Sequence, residues 1–389
     1  MVATAAVAVG SRAGRSEKTV RQDPVTGRQI WQMTRSDQAS LHSYYDLCPW
    51  NAAGDKIVFC AAGAAGEGSD VYWMDAQDGT LHLVGHSGKQ NPHTGVHQQW
   101  IGLGDVVAYE DRDAQGPFVQ TVDLRSGRTT RLPGAARMVS PDGRLVASHT
   151  ESVDEAAIMR RETAGVFIAG IEEHQRPPRL IASIQQALDL NPRRDDIRGC
   201  HIYVKHAKFS PDGRRLSFVF TNEISYEVKY REPRVKDIYV VDADGQNLRF
   251  VCHFSWGNHP SWHPNGRQIL FNHRPARGTP LVFMLADADS GALEPATTLI
   301  NGGGHPPYSP DGSRIAAEYV NGQTRDARVV SVDLSRQRVD DLARFRVTDH
   351  SHQGTHIHPT WSRDGRYVLF NADESGHSEL WVVPVDPVD

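Results

Sequence analysis

A chain of 389 residues has the length for one large domain or for two to three ordinary ones. Its net charge of −5 leaves no broad cationic surface to hold nucleic acid, and no apolar run approaches the ~20 residues of a membrane helix. Cys48, Cys60, Cys200 and Cys252 are widely separated and form no CxxC, so neither a zinc ribbon nor a disulfide scaffold is indicated.

Taken from the N-terminus, residues 1–20 begin "MVATAAVAVGSRAG", which has a short apolar run and no basic start. They read as a flexible end and not as an export signal, which makes the cytoplasm the default location. Next, "GRQIWQMTR" is a strand. Then one phrase recurs: an aromatic, Ser-Pro-Asp-Gly or a variant of it, and a hydrophobic strand. Its copies are "CPWNAAGDKIVFC", "QQWIGLGDVVAYED", "MVSPDGRLVASH", "AKFSPDGRRLSFVF", "PSWHPNGRQILFN", "PPYSPDGSRIAAEY" and "PTWSRDGRYVLFN". Asp-Gly and Asn-Gly suit tight hairpin turns because these residues tolerate positive φ cheaply. After each copy comes a further strand, such as "VYWMDAQDG", "FVQTVDLRSG", "IYVVDADG", "FMLADADSG", "VVSVDLS" or "LWVVPVD". Two hairpins per unit match the four-stranded blades of a β-propeller. The expected fold is all-β: a single seven-bladed propeller over 21–389, with "GRQIWQMTR" completing the last blade and closing the ring. Helical periodicity is weak, and only "EEHQRPPRLIASIQQALDL" suits a short helix or lid.

The chain carries 19 histidines, its outlying number. Aligned on the blade aromatic, His206, His259, His305 and His358 each stand three residues before it, ahead of Phe209, Trp262, Tyr308 and Trp361. In a propeller this position lies at the entrance of a strand near the central channel, so residues distant in sequence converge there. A bland alternative is a repeat consensus histidine that packs against the next blade, and His206 alone suits that. The stretch "DHSHQGTHIHPTW" is sharper. Strand residues two apart face one way, so His356 and His358 both point at the channel. Gln353 offers a carbonyl oxygen, and His305 arrives from the neighbouring blade. Three imidazoles and an amide oxygen make a metal site with open positions, and the absence of thiolate argues against a structural zinc. His350 and His352 read as solvated loop residues. The run "GGG" at 302–304 lets backbone approach a ligand, or is a flexible connection. The sequence contains no nucleophile elbow, phosphate loop or dinucleotide fingerprint.

These residues resemble the oligogalacturonate lyase family, polysaccharide lyase family 22. "DPVTGRQIWQMTRSDQASLHSYYDLCPWNAAGDKIVFCAAG" resembles the start of that family, with its His-x-x-Tyr at His42 and Tyr45. "QGTHIHPTW" resembles its metal motif, "GGHPPYSPDG" the blade with the third metal histidine, and "GNHPSWHPNG" the blade with the catalytic base. The resemblance implies a divalent ion, Mn²⁺ in the family, held by His305, Gln353, His356 and His358. His259 would be the base, with His42, Tyr45 and His206 binding substrate. The substrate would be a short oligogalacturonate, cleaved by β-elimination to a 4,5-unsaturated sugar. One departure stands out. The family has an arginine just before the hydrophobic-aromatic pair of a strand, here Ile238-Tyr239, and this chain has Asp237 there. Arg234 is the candidate to replace it. The segment "TNEISYEVKYREPRVKD" is either a substrate loop or a solvated one.

Two other readings remain. One is an enzyme on the same metal propeller that acts on another uronate. The other is a non-catalytic scaffold, for which a histidine surplus to the metal, His259, has no use. The sequence leaves open the oligomeric state and the roles of His93 and His97.

Overall fold

The structure, a computed structural model, describes residues 12–63, 67–150, 160–223, 225, 228, 231–254, 256–276, 278–348 and 356–386. Seven antiparallel sheets follow one another in chain order. Blade 1 comprises Ser40–Leu41, Lys56–Ala62, Ser69–Asp75 and Leu81–Ser87, and its sheet order repeats its sequence order. Blade 4 comprises Tyr203–Phe209, Arg215–Thr221, Lys236–Asp242 and Arg249–His253. Blade 6 has three strands, Arg314–Val320, Asp326–Asp333 and Arg338–Arg346, and its inner strand is reduced to a bridge between Tyr308 and Ile315. The protein is a seven-bladed β-propeller, as the repeat predicts.

The repeated phrase has a physical reason at each letter. Its serine accepts the amide five residues on, as Ser210 Oγ does from Arg215 N at 3.0 Å and Ser362 Oγ from Tyr367 N at 3.0 Å. The turn glycines take positive φ, 71° at Gly213 and 70° at Gly365. The aromatic ties neighbouring blades together. Trp100 Nε1 donates to Pro49 O at 2.7 Å, Trp262 Nε1 to Lys208 O at 3.1 Å and Trp361 Nε1 to Pro307 O at 3.1 Å. Each bond runs to the inner chain of the preceding blade, so a tryptophan there couples packing to a satisfied donor.

Closure follows the expected route. Gln29–Gln32 pairs with the strand Glu379–Pro384, with Trp31 opposite Val382, and Thr19–Gln22 adds a fifth strand outside it. Residues from both ends of the chain share one core between blades 7 and 1, including Met33, Phe59, Leu380 and Val382. The flexible end expected over residues 1–20 is corrected for its second half. Arg12 is buried and pairs with Glu17 at 2.6 Å, its Nη1 donates to Ser40 Oγ at 2.9 Å, and Gly14 N donates to Leu81 O at 2.7 Å. A buried guanidinium holds its segment because its charge must stay paired. Within the region read as a helix or lid, Ile184–Asp189 is a helix with a capping box of Ser183 and Gln186. Ile184, Ala187 and Leu188 are buried, so it is a packed part of the blade 3 to blade 4 connection.

One segment stands outside the repeat. Between Leu41 and the bridge from Trp50 to Ile57, residues 42–48 cross the axis and touch the inner chains of other blades. Ser43 Oγ donates to Gln98 O at 2.6 Å. Tyr45 Oη donates to Pro260 O at 2.9 Å. Asp46 accepts from Arg137 at 2.7 Å and pairs with Lys208. These contacts reach blades 2, 5, 3 and 4 in turn, so the segment plugs the channel and gives the pocket above it a floor.

Candidate metal and active site

The repeat position that carries the histidines has an unusual backbone. His206, His259 and His358 have φ of 58°, 59° and 45°. Left-handed conformations are uncommon for residues with a Cβ and cluster at functional sites. In blades 4 and 5 the register slips here, between Lys205 and Lys208 and between Asn258 and Ser261. Such a bulge re-aims one side chain out of the ladder, here toward the axis. In blade 6 the turn is taken one residue earlier, by Gly304 at φ 52°, ahead of His305.

The re-aimed rings meet above the plug. His305 lies 4.2 Å from His358, ring centre to ring centre, and His356 lies 5.1 Å from His358. Residues 356 and 358 share a side of the chain although the strand itself begins only at Thr360. Tyr44 is the floor: its ring centre is 4.6 Å from His358, 5.5 Å from His305 and 5.9 Å from His206, which it stacks at 10°. His93, whose role the sequence left open, comes from the connection between blades 1 and 2, and its ring is 4.2 Å from His356. The ligand-capable atoms of His93, His356 and His358 all lie within 4.8 Å of one another. Gln353 lies outside the described residues, as do His350 and His352.

The nitrogen atoms fit a cation. Both ring nitrogens of His358, Nε2 of His305 and Nδ1 of His93 are buried and have no hydrogen-bond partner. Burial pushes the imidazoles of His305 and His358 well below the usual range, and their histidine neighbours push them further. They are therefore neutral donors, the form that binds metal. His305 is oriented from behind: Glu318 accepts its backbone N–H at 2.9 Å and faces its Nδ1, which leaves Nε2 for the cluster. Burial raises the Glu318 pKa to about 8, against the His305 N–H bond, and a carboxyl group behind a ligand histidine is the usual support of a metal site. A cavity of about 290 Å³ opens beside His305, Glu318 and His356.

His259 sits next to this cluster, 3.9 Å from His305 between ring centres. Its Nδ1 faces Gly304 O at 2.8 Å. A carbonyl only accepts, so Nδ1 carries the hydrogen and the neutral ring keeps its lone pair on Nε2. Burial, the neighbouring His305 and the charges of Lys236 and Lys208 hold the imidazole well below its usual range, against the bond to Gly304.

The run 302–304 approaches protein, not an open ligand path. A Cβ on Gly304 would collide with the Glu318 carboxyl, and one on Gly303 with the Tyr319 ring. Gly304→Ala is therefore expected to displace Glu318 from His305 and cost roughly 1–3 kcal/mol. Thermal unfolding checks the cost, and metal content per chain checks the displacement.

The remaining predicted site residues fall as follows. His206 is half-buried on Tyr44. His42 is fully buried, below the open face and 6.2 Å from His358. Tyr45 is 1% exposed, and its hydroxyl is taken up by Pro260 and Lys208. His97 is half-buried beside Glu110, 3.2 Å from its carboxylate. Arg234 pairs with Glu223 and lies 4.7 Å over Trp256. Lys236 and Lys205 reach the same carboxylate at 2.9 and 3.0 Å. Burial would raise the Glu223 pKa, but Lys236, Lys205 and Arg234 outweigh it and hold the carboxyl well below its usual range. Burial lowers the Lys236 pKa to about 7, against the raising effect of Glu223. Asp237 is buried and bound by Asn191, Arg193 and His253. Alternation along the strand sends it and Lys236 to opposite faces, so Lys236 is the cation nearest that register. The segment 221–237 is tied at its ends, by Glu223 as above and by Glu232, which accepts from His201 N at 2.9 Å.

Comparison with known proteins agrees with this architecture. Residues 188–387 match the model of the TolB beta propeller domain. The chain belongs to the TolB beta-propeller family. Most of its length superposes on solved propellers. An oligogalacturonate lyase from Vibrio parahaemolyticus aligns with TM-score 0.71 at 14% identity, over 96% of this chain and 99% of that one. An oligogalacturonate lyase in complex with manganese gives 0.71 at 15%, over 96% and 98%. The tricorn protease gives 0.56 at 14%, over 92% of this chain and 36% of its own. At such identities the likeness establishes the shared fold. The resemblance to oligogalacturonate lyases read from the sequence thus extends to the architecture of the whole chain.

Proposed function

We propose that this protein is a metal-assisted lyase that cleaves short oligogalacturonates by β-elimination. The observation that carries the reading is the pairing of a neutral histidine cluster with an adjacent histidine, His259, whose tautomer leaves Nε2 able to take a proton. The manganese complex of a protein of the same fold supports a divalent ion here. His305, His356 and His358 would hold it, with Gln353 as a further donor. A bound divalent ion supplies a Lewis acid that draws charge from the substrate carboxylate. His259 Nε2 takes the proton from C5, the C5–H electrons form the C4–C5 double bond as the C4–O bond breaks, and the departing oxygen takes a proton from water. Lys236, whose charge acts on His259, steadies, when protonated, the negative charge that develops. Tyr44 closes the site from below, so substrate enters from the open face.

A second reading, another uronate as substrate, is favoured by Asp237 in the register where the resemblance places an arginine. One assay separates the two. The metal-loaded protein is incubated with digalacturonate and with a panel of other uronate disaccharides, using several divalent ions. The ultraviolet absorbance of the conjugated product is followed. Product from digalacturonate supports the first reading, and product from another uronate alone moves the assignment to the second. Flat absorbance throughout rejects lyase chemistry and leaves a metal-binding propeller.

A further inference from the structure

We infer that His93 is a metal ligand and that it makes the site select a nitrogen-preferring divalent ion, such as Co²⁺, Ni²⁺ or Zn²⁺, over Mn²⁺. The inference rests on the metal centre proposed above, not on the lyase activity.

His93 lies outside the propeller repeat, on a turn built to present it. Asn91 Oδ1 accepts from His93 N at 2.8 Å and from Thr94 N at 3.2 Å, and Gly95 N closes the turn onto Asn91 O at 2.9 Å. The ring then stands edge-on to His356 at 4.2 Å and to His358 at 4.8 Å, with His305 at 6.5 Å. Two imidazole nitrogens on one ion lie no more than roughly 4.2 Å apart, twice the metal–nitrogen bond. The observed limit of 4.8 Å for His93, His356 and His358 is within a small side-chain adjustment of that. Packing alone is a poor account of this cluster. Edge-to-face rings leave their nitrogens unsatisfied, and burying an unsatisfied polar atom is costly. His93 Nδ1, both nitrogens of His358 and Nε2 of His305 are all in that position. One cation among them would take one nitrogen from each ring.

The ligand set decides the ion. With His93 added, three imidazoles have ligand atoms within 4.8 Å of one another, and His305 stands beside them, 4.2 Å from His358 between ring centres. Affinity of such donors rises from Mn²⁺ through Co²⁺ and Ni²⁺, whereas oxygen donors suit Mn²⁺. Removing one imidazole should weaken the nitrogen-preferring ions most.

The test strips the full-length protein of metal and titrates it with Co²⁺ and with Mn²⁺ by calorimetry. Visible absorption of bound Co²⁺ reports its coordination geometry and the donor types around it. Wild type, His93→Ala, His93→Gln and His356→Ala are compared, with circular dichroism as the folding control. Wild type is expected to bind Co²⁺ at least roughly tenfold more tightly than Mn²⁺. Both His93 variants should narrow that ratio and shift the Co²⁺ spectrum. His93 variants with wild-type affinities and an unchanged spectrum, while His356→Ala loses both ions, would overturn the inference and leave the metal centre standing. Wild type preferring Mn²⁺ would also overturn it, and no binding of either ion would overturn the inference and the metal centre together. Flat ultraviolet absorbance with Co²⁺ bound through His93 would instead reject the lyase reading and leave this one intact.

Discussion

His259→Ala is expected to lower kcat for the elimination by roughly 10²–10⁴-fold while bound metal per chain stays at the wild-type level. The split follows from the geometry. His259 Nδ1 is committed to Gly304 O, so Nε2 faces the chemistry and not a structural partner. Loss of the ring does not orphan that carbonyl, because Asn272 Nδ2 also donates to it at 2.8 Å. The variant should therefore fold, and KM should move little, since the ring's contribution belongs to the proton transfer. Steady-state kinetics and metal analysis on the same preparation check both halves. Metal lost together with activity would make His259 a ligand, and unchanged kcat would remove it from the chemistry.

The fold was legible because a propeller writes its turn chemistry once per blade. Serine, Asp-Gly and the aromatic each do a local job, so seven copies announce seven sheets. The positions of His206, His259, His305 and His358 were legible for the same reason: a fixed offset from the aromatic becomes a fixed place around the axis. What the repeat does not encode was not legible. His93 sits on the blade 1 to blade 2 connection, outside the repeated phrase, and only the closed ring brings it against His356. A trace was present in Asn91, two residues earlier and suited to an Asx turn, but a turn does not say what its tip faces. Residues 42–48 were read as a substrate-binding match at His42 and Tyr45. Their burial as a plug depends on partners in blades 2, 3, 4 and 5, which periodicity does not reach. Arg234 and Lys236 are likewise placed by Glu223, a pairing that only tertiary structure reveals. Strand alternation separates Asp237 from Lys236 in the folded sheet, where Asp237 is bound by Arg193 and His253.

Asp46→Asn is expected to be the most damaging change in the plug, costing roughly 3–5 kcal/mol, because it removes the one anion of a buried group. Arg137 Nη2 donates to the two carboxylate oxygens at 2.8 and 2.7 Å, and Lys208 pairs with the same group. The side chains of Asp46, Arg137 and Lys208 are 6%, 5% and 2% exposed, so water cannot replace the lost partner. The substitution leaves two buried cations facing an amide. Burial alone would raise the Asp46 pKa, but Arg137 and Lys208 outweigh it and hold the carboxyl well below its usual range. The sign of the pH dependence follows. A carboxylate with a lowered folded-state pKa contributes its full stability above its unfolded pKa of about 3.9 and loses it as pH falls toward the folded value. Wild type should therefore lose stability below about pH 4 through this group, and the Asn variant should lack that component, having lost it at every pH. Denaturant unfolding of both proteins across the acid range measures the two effects together. A variant within about 0.5 kcal/mol of wild type would mean that the plug is held by its tyrosines and not by its charge. If the ion group does hold it, the same substitution should also reduce metal affinity without touching a ligand, because Tyr44, the floor beneath His305 and His358, is only two residues away from Asp46.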